Sequence, residues 1–439
     1  MMKSKKYAGV AHMLPFGMLS LGLSLLLASC TFGDNFDVDF SSLPSDPSMF
    51  KVTSQRTNTL DELPADCYIE GVPAAEYGQP TEQSPMWRTS STTAASVMQE
   101  ILDFSNRRTV IELSGTYWSV DEEWNDVQLS GKVVLPADGK AERIILVSHY
   151  TIGSNAEAPS RCFPIEAMLA KMGYVMIFPD YLGYGVTADR VHPYLVMDLT
   201  AINVLDMYLA VRPFLEAAGV EVAHDEILLM GYSQGGANTM AVQHLIEAAY
   251  YDEIKIRRVF AGGGPYDVLA TYDHFVTRDT ADYPIAVPLV MQGMIVGNHL
   301  DLNMGQLMQP YVYENMDYWV NSKQFTTAQL NKAIGTKITH NILSEKGMDR
   351  TSEEVSELYK AMTTNSILSY SWEPQAPVYL FHSMDDEVVT FANASRARVK
   401  WTNANIQYNF GHYGGHIQGY LRFVSSVKTL LEQDQELNN

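Results

Sequence analysis

The feature that most limits what this chain can fold into is a series of short, largely apolar runs, polar only at their ends, separated by helical stretches. Residues 144–149, 174–179, 226–230 and 258–261 read as strands, and 165–172, 195–218 and 237–250 as helices, the second of them interrupted at Pro213. A strand with no polar face has both faces buried, and helices between such strands are the crossovers of a parallel sheet. Residues 108–118 and 127–136, rich in Val, Ile, Leu, Tyr and Trp, read as an antiparallel pair ahead of them. The expected fold class is therefore α/β, a mostly parallel central sheet with helices on both faces.

The 439 residues allow one large domain with an insertion, or two to three smaller ones. A chain with 46% hydrophobic and 18% charged residues is neither disordered, collagen-like nor a multi-span membrane protein. With 30 Lys and Arg against 51 Asp and Glu, the formal charge of −21 repels phosphate backbones, so no nucleic-acid partner is expected.

Lys3, Lys5 and Lys6 precede an uncharged apolar stretch over 13–28, the pattern of a signal peptide. It ends in Leu27-Ala28-Ser29-Cys30, which resembles a bacterial lipobox. That resemblance implies cleavage after residue 29, acylation of Cys30, and a place as an outer-membrane lipoprotein in the envelope of a Gram-negative cell. The alternative is an ordinary secretory signal with an incidental Cys. Cleavage would remove three cations and no acid, leaving 27 against 51, or −24. Residues 30–60, with Asp34, Asp37, Asp39, Pro44, Asp46 and Pro47, read as an acidic tether. The acids behind Cys30 are also similar to signals that place lipoproteins on the cell surface. Cys67 and Cys162 either pair or are unrelated core residues.

The informative motif is Gly231-Tyr232-Ser233-Gln234-Gly235, a G-x-S-x-G between an apolar strand and a helical run. A sharp turn there lifts a serine hydroxyl clear of the sheet and brings backbones so close that glycine is required on either side. At the helix N-terminus, developing negative charge on Ser233 chemistry is favoured. A serine needs a base and an orienting acid, which in this arrangement follow in the order Ser, acid, His. Strand 378–382 runs into Ser383-Met384-Asp385-Asp386-Glu387, where the acid belongs, and a glycine-rich loop with His412 and His416 precedes a final helix, 420–431. His416 is the expected base and His412 the alternative. The first oxyanion donor is the backbone N–H of Gln234; the second comes from the loop after 144–149, at Thr151 or else Tyr150.

With these residues in order, the chain resembles an α/β-hydrolase. His382 to Val389 is similar to that family's H-G-x-x-D-x-x-V turn, with Ser383 for Gly and Thr390 for a common Pro, which implies Asp386 as the acid and leaves Asp385 as its rival. His149-Tyr150-Thr151-Ile152-Gly153, Ala158-Pro159-Ser160, Pro179-Asp180-Tyr181-Leu182-Gly183-Tyr184-Gly185 and His192-Pro193-Tyr194 resemble motifs of the capped secreted lipases, with Tyr150 standing where they have Gly. Asp180 reads as structural, capping the following segment.

The expected organisation is a signal peptide over 1–29, the tether over 30–60, a core over 61–264 and 373–439, and a helical cap over 265–372. Within the cap, Thr351-Ser352-Glu353-Glu354 reads as a capping box, and 283–300 is apolar enough either to line an acyl pocket or to pack the cap onto the core. Gly262-Gly263-Gly264-Pro265 lacks the Lys of a phosphate loop. No metal-binding spacing joins His382, His412 and His416, and no metal or cofactor is expected. The implied function is a lipase- or esterase-type serine hydrolase acting on a small-molecule or lipid ester, held to the membrane through Cys30, with no obligate protein partner evident. Peptidase or carbohydrate-deacylase use of the same triad is the first alternative, and a catalytically inactive binding lipoprotein the second.

Overall fold

Apolar strands with no wet face can be satisfied only between two helical layers, and the chain folds around that requirement. The computed structural model describes residues 40, 46, 48–60, 63–69, 72–73, 91–104 and 108–438. The signal peptide, Cys30 and the first part of the tether lie outside the described residues.

In chain order the principal elements are β1 (Lys51–Asn58), α1 (Ser91–Leu102), β2 (Val110–Val120), β3 (Asp126–Pro136), β4 (Ile144–Ser148), β5 (Val175–Pro179), α2 (Met197–Ala217), β6 (Ile227–Tyr232), α3 (Gln234–Ala249) and β7 (Ile256–Gly262). A helical stretch follows that includes α4 (Val268–Thr277), α5 (Ala286–Gly297), α6 (Thr327–Ile334) and α7 (Glu353–Thr364). The chain then returns to the sheet with β8 (Val378–Ser383), α8 (Ala392–Lys400), β9 (Ile406–Gly411) and α9 (His416–Asn438). Among the described residues these strands form one nine-stranded sheet in the order β1-β2-β3-β5-β4-β6-β7-β8-β9. The pairs from β1 to β5 are antiparallel, and every pair from β5 through β9 is parallel. The strands β4, β5, β6 and β8 are buried along their whole length.

Two edge strands depart from the sequence reading. Lys51–Asn58 falls within the segment read as a tether, yet pairs with β2 from Lys51↔Thr116 to Asn58↔Val110, so the core starts ten residues before the expected position 61. Its side chains are almost all exposed, and a strand with two wet faces carries no hydrophobic alternation to read. At the other edge, β9 is only partly buried and was equally silent. The expected capping box is also displaced: the N-cap of α7 is Ser352, whose side chain accepts from Val355 N–H, while Thr351 donates its hydroxyl to Asp349. Along one face α5 packs on the core, because a Cβ at Gly293 would lie 2.3 Å from the Tyr194 carbonyl and one at Gly297 2.4 Å from the Val196 side chain. Cys67 and Cys162 are both buried free thiols, the latter donating to the Glu157 carbonyl.

A buried ion cluster fastens β1, β2 and β3. The Glu112 carboxylate takes the Lys132 ammonium at 2.9 Å and the Arg56 guanidinium at 2.7 Å, with Glu112 and Lys132 only 2% and 4% exposed. Removing the acid strands a charge in the interior. Glu112→Ala is therefore expected to lower the unfolding free energy by about 3–5 kcal/mol, read from denaturant midpoints.

Candidate active site

The strand–turn–helix at Ser233 closes so tightly that side chains are excluded around it. A Cβ on Gly231 would lie 2.3 Å from the Gly235 carbonyl, and one on Gly235 2.0 Å from the Ser148 carbonyl, at the end of β4. Both atoms are backbone and cannot swing aside, which is the physical content of the G-x-S-x-G spacing. Ser233 itself sits at φ 57° and ψ −126°, a strained conformation for a residue with a side chain. Its N–H is tied to the Gly262 carbonyl at 2.9 Å.

His416 Nε2 stands 2.9 Å from Ser233 Oγ, and His416 Nδ1 2.6 Å from Asp386 Oδ2. The other Asp386 oxygen accepts the N–H groups of Val388 at 3.0 Å and Val389 at 2.8 Å. All three residues are buried, at 4%, 2% and 7% exposure for Ser233, His416 and Asp386. Burial alone would push the Asp386 carboxyl up, but the charge and hydrogen bond of His416, with help from His382 and Val389 N–H, hold it below the ordinary carboxylate value. An ionised Asp386 requires Nδ1 of His416 to be the donor, which turns the Nε2 lone pair toward the serine hydroxyl.

The sequence-level alternatives are placed together, away from the serine. His412 Nδ1 lies 2.8 Å from Asp385 Oδ1, and these side chains are 75% and 42% exposed. Adjacent aspartates on a turn point in opposite directions, so one acid serves each histidine. His416 is the first residue of α9 and not part of the preceding loop as read from sequence. Its N–H donates to Glu387 Oε2 at 3.1 Å, and its carbonyl accepts from Tyr232 OH at 2.8 Å. Neither partner was identifiable from sequence, since only the fold brings those segments together. His382, fully buried, donates Nε2–H to the Val389 carbonyl at 2.8 Å, and burial lowers its basicity.

Gln234 begins α3, so its N–H has no carbonyl one turn back in the helix. The packing of Gly235 on Ser148 and His149 brings the loop after β4 against that helix end. In the loop, Thr151 Oγ1 shares a hydrogen bond of 2.8 Å with Tyr194 OH, and Tyr150 turns its ring edge-on to Tyr420 at 5.2 Å, filling core where the resembling motif has glycine. His192 from the H-P-Y turn supplies a support that sequence reasoning had not assigned. Its Nδ1 donates to the Leu182 carbonyl at 2.7 Å, leaving Nε2 to accept from the Gln234 side-chain amide at 2.9 Å. Burial, with the nearby Lys323 charge, lowers the His192 pKa to about 3, so the ring stays neutral. Asp180 is structural in another way than expected: it accepts from Ser130 Oγ at 2.6 Å and Ser160 N–H at 2.8 Å, tying β3 to the loop and capping nothing downstream. A cleft of about 570 Å³ that includes Asp273, His274 and Arg396 is lined by none of the triad.

A serine–histidine–aspartate chain at the C-terminal edge of a mostly parallel sheet is the arrangement of an α/β-hydrolase. The sequence matches the secretory lipase family over residues 161–424, and the chain belongs to that family. It is 21% identical over 322 residues to a secreted triacylglycerol lipase of Malassezia restricta, a match that takes in 66% of this chain and 62% of the relative's length. Among solved structures, the rice cell wall degrading esterase LipA of Xanthomonas oryzae superposes with a TM-score of 0.66 at 20% identity, covering 78% of this chain and 94% of that one. Candida antarctica lipase A gives a TM-score of 0.56 at 15% identity, with 88% and 83% covered.

The loop after β4 holds a buried carboxyl, Glu157, which accepts the N–H groups of Gly153 at 3.1 Å and Ser154 at 2.7 Å. Burial pushes its pKa from 4.5 up to about 7, against those two hydrogen bonds. Between these values the folded chain keeps a proton that the unfolded chain has released, so stability falls as pH rises through this window. Glu157→Gln keeps an acceptor and removes the titration. Its denaturant midpoint should fall less than that of the parent from pH 4.5 to 7, the difference amounting to roughly 3 kcal/mol.

Proposed function

We propose that this chain is a serine hydrolase of the lipase and esterase type, cleaving carboxylic esters through an acyl-enzyme. The observation that carries the reading is the buried hydrogen-bonded series Ser233–His416–Asp386. His416 Nε2 takes the hydroxyl proton as Ser233 Oγ attacks the acyl carbonyl, and Asp386 keeps the resulting imidazolium oriented and charge-balanced. The oxyanion is held by the N–H of Gln234 and an N–H of the loop, at Thr151 or Tyr150, each such donor typically contributing about 2.7–4 kcal/mol to the chemical step. His416 then returns the proton to the leaving alcohol, and water, activated by the same base, attacks the acyl carbon and frees Ser233 and the acid. His192 keeps Gln234 in place for this work, and Glu387 and Tyr232 fix the start of α9 so that the imidazole keeps its aim.

The substrate class is an acyl ester, in line with the triacylglycerol lipase and cell-wall esterase among its relatives. The helical segment covers the site: residues 322–330 rest on the loop after β4, since Asn155 N–H donates to the Lys323 carbonyl at 2.8 Å and a Cβ on Gly153 would meet the Phe325 carbonyl at 2.6 Å. The lipobox-like sequence supports export and acylation at Cys30, which would hold the enzyme on a membrane surface.

Hydrolysis of p-nitrophenyl butyrate is the first test, using the chain from residue 31 onward. Ser233→Ala should reduce turnover to background, and Asp386→Asn should cut kcat by about 10⁴. Asp385→Asn, at the exposed pair, should cost no more than about threefold. No turnover of any p-nitrophenyl ester by the parent would overturn the reading. For the anchor, the full-length chain should partition into detergent and Cys30→Ser should not.

A further inference from the structure

Lys323 is a buried charge that takes no part in the mechanism. The residue is 4% exposed, and among the described residues its ammonium forms no ion pair with a carboxylate. It lies over the face of Tyr184, whose ring centre is 4.8 Å away, and its charge is felt by His192. An ammonium held this close to the interior without a counter-charge is costly unless its nitrogen reaches water or a ligand. The backbone adds to the cost, with Lys323 at φ 55°, a left-handed conformation that disfavours a side chain by roughly 1–2 kcal/mol. Two unfavourable features at one residue, where the helical segment meets the loop after β4, mark a position kept for something outside the chain.

The surroundings indicate where that something sits. The Tyr184 ring lies 5.1 Å from His192, and His192 holds the Gln234 side chain. His192 is also 5.9 Å from the Tyr194 ring, whose hydroxyl meets Thr151. The ammonium is thus linked, through the Tyr184 ring and the His192 imidazole, to both segments expected to carry oxyanion donors. The buried Glu157 does not neutralise it, being engaged by two backbone N–H groups of the loop. Burial lowers the Lys323 pKa to about 8, so the side chain is still mostly charged near neutrality. The overall formal charge of −21 would repel an anion, and a cation over the ring that packs on His192 offsets this locally.

We infer that Lys323 is a specificity-determining residue, selecting esters that carry a second, anionic carboxylate on the acyl or alcohol portion, which enters as its missing counter-ion. This rests on the ester-hydrolase reading and names the substrate class of the same site. Neutral esters lack the partner and leave the ammonium unpaired; a carboxylate ester replaces its lost hydration with a charge-assisted hydrogen bond.

Two matched pairs of substrates test this. Mono-p-nitrophenyl glutarate against p-nitrophenyl valerate places the charge on the acyl side, and 4-acetoxybenzoate against 4-acetoxybenzamide places it on the alcohol side. The quantity read is the charged-to-neutral ratio of kcat/KM. In Lys323→Met this ratio should fall at least tenfold for one pair, chiefly through KM of the charged ester, and Lys323→Arg should restore part of it. Lys323→Gln serves as the second variant should the methionine form fold poorly. A change of less than tenfold in both pairs would overturn the inference. Ser233-dependent cleavage of the valerate ester checks the ester-hydrolase reading separately, so the two can fail independently.

Discussion

Everything at the site depends on one close crossing of backbones, where the first turn of α3 meets the ends of β4 and β6. Because Gly231 and Gly235 leave no room for a side chain, the chain reverses within a few residues and holds Ser233 at φ 57°. The same crossing sets the N-terminus of α3 beside the loop that follows β4. Nucleophile and expected oxyanion donors come from two segments, the start of α3 and the loop after β4, held together by this crossing, and the strain at Ser233 is borne by the parallel sheet packed around it.

Electrostatics then divides the labour among acids that look alike in sequence. Asp386 is buried, receives two backbone N–H groups and an imidazole, and is held ionised; Asp385, next to it, pairs with an exposed histidine. Glu157 is held largely by burial toward its neutral form, and Glu112 is balanced by Lys132 and Arg56. Lys323 breaks this pattern, since every other deeply buried charge discussed has an internal partner. Its nearest ring, Tyr184, packs on the His192 that braces Gln234.

The helical segment illustrates how coverage and chemistry are linked. Its contacts with the loop run through backbone groups, Lys323 carbonyl to Asn155 and the Phe325 carbonyl against Gly153. Movement of this segment would therefore disturb the loop and the ammonium together.

The sequence by itself determined the parallel sheet, the serine turn and the order of acid and base, because buried strands write their environment as apolar runs and a tight crossing admits only glycine. It was silent on β1 and β9, whose wet edge faces carry no periodic signal, and on the exact cap of α7, where neighbouring Thr and Ser compete. Only the tertiary structure decided that Asp386 and not Asp385 reaches His416, that His192 braces Gln234, and that Lys323 lacks a counter-ion. The physical reason is distance along the chain. His416 meets Asp386 across 30 residues and Ser233 across 183, and the direction of a side chain or the dielectric around it is set by what packs there.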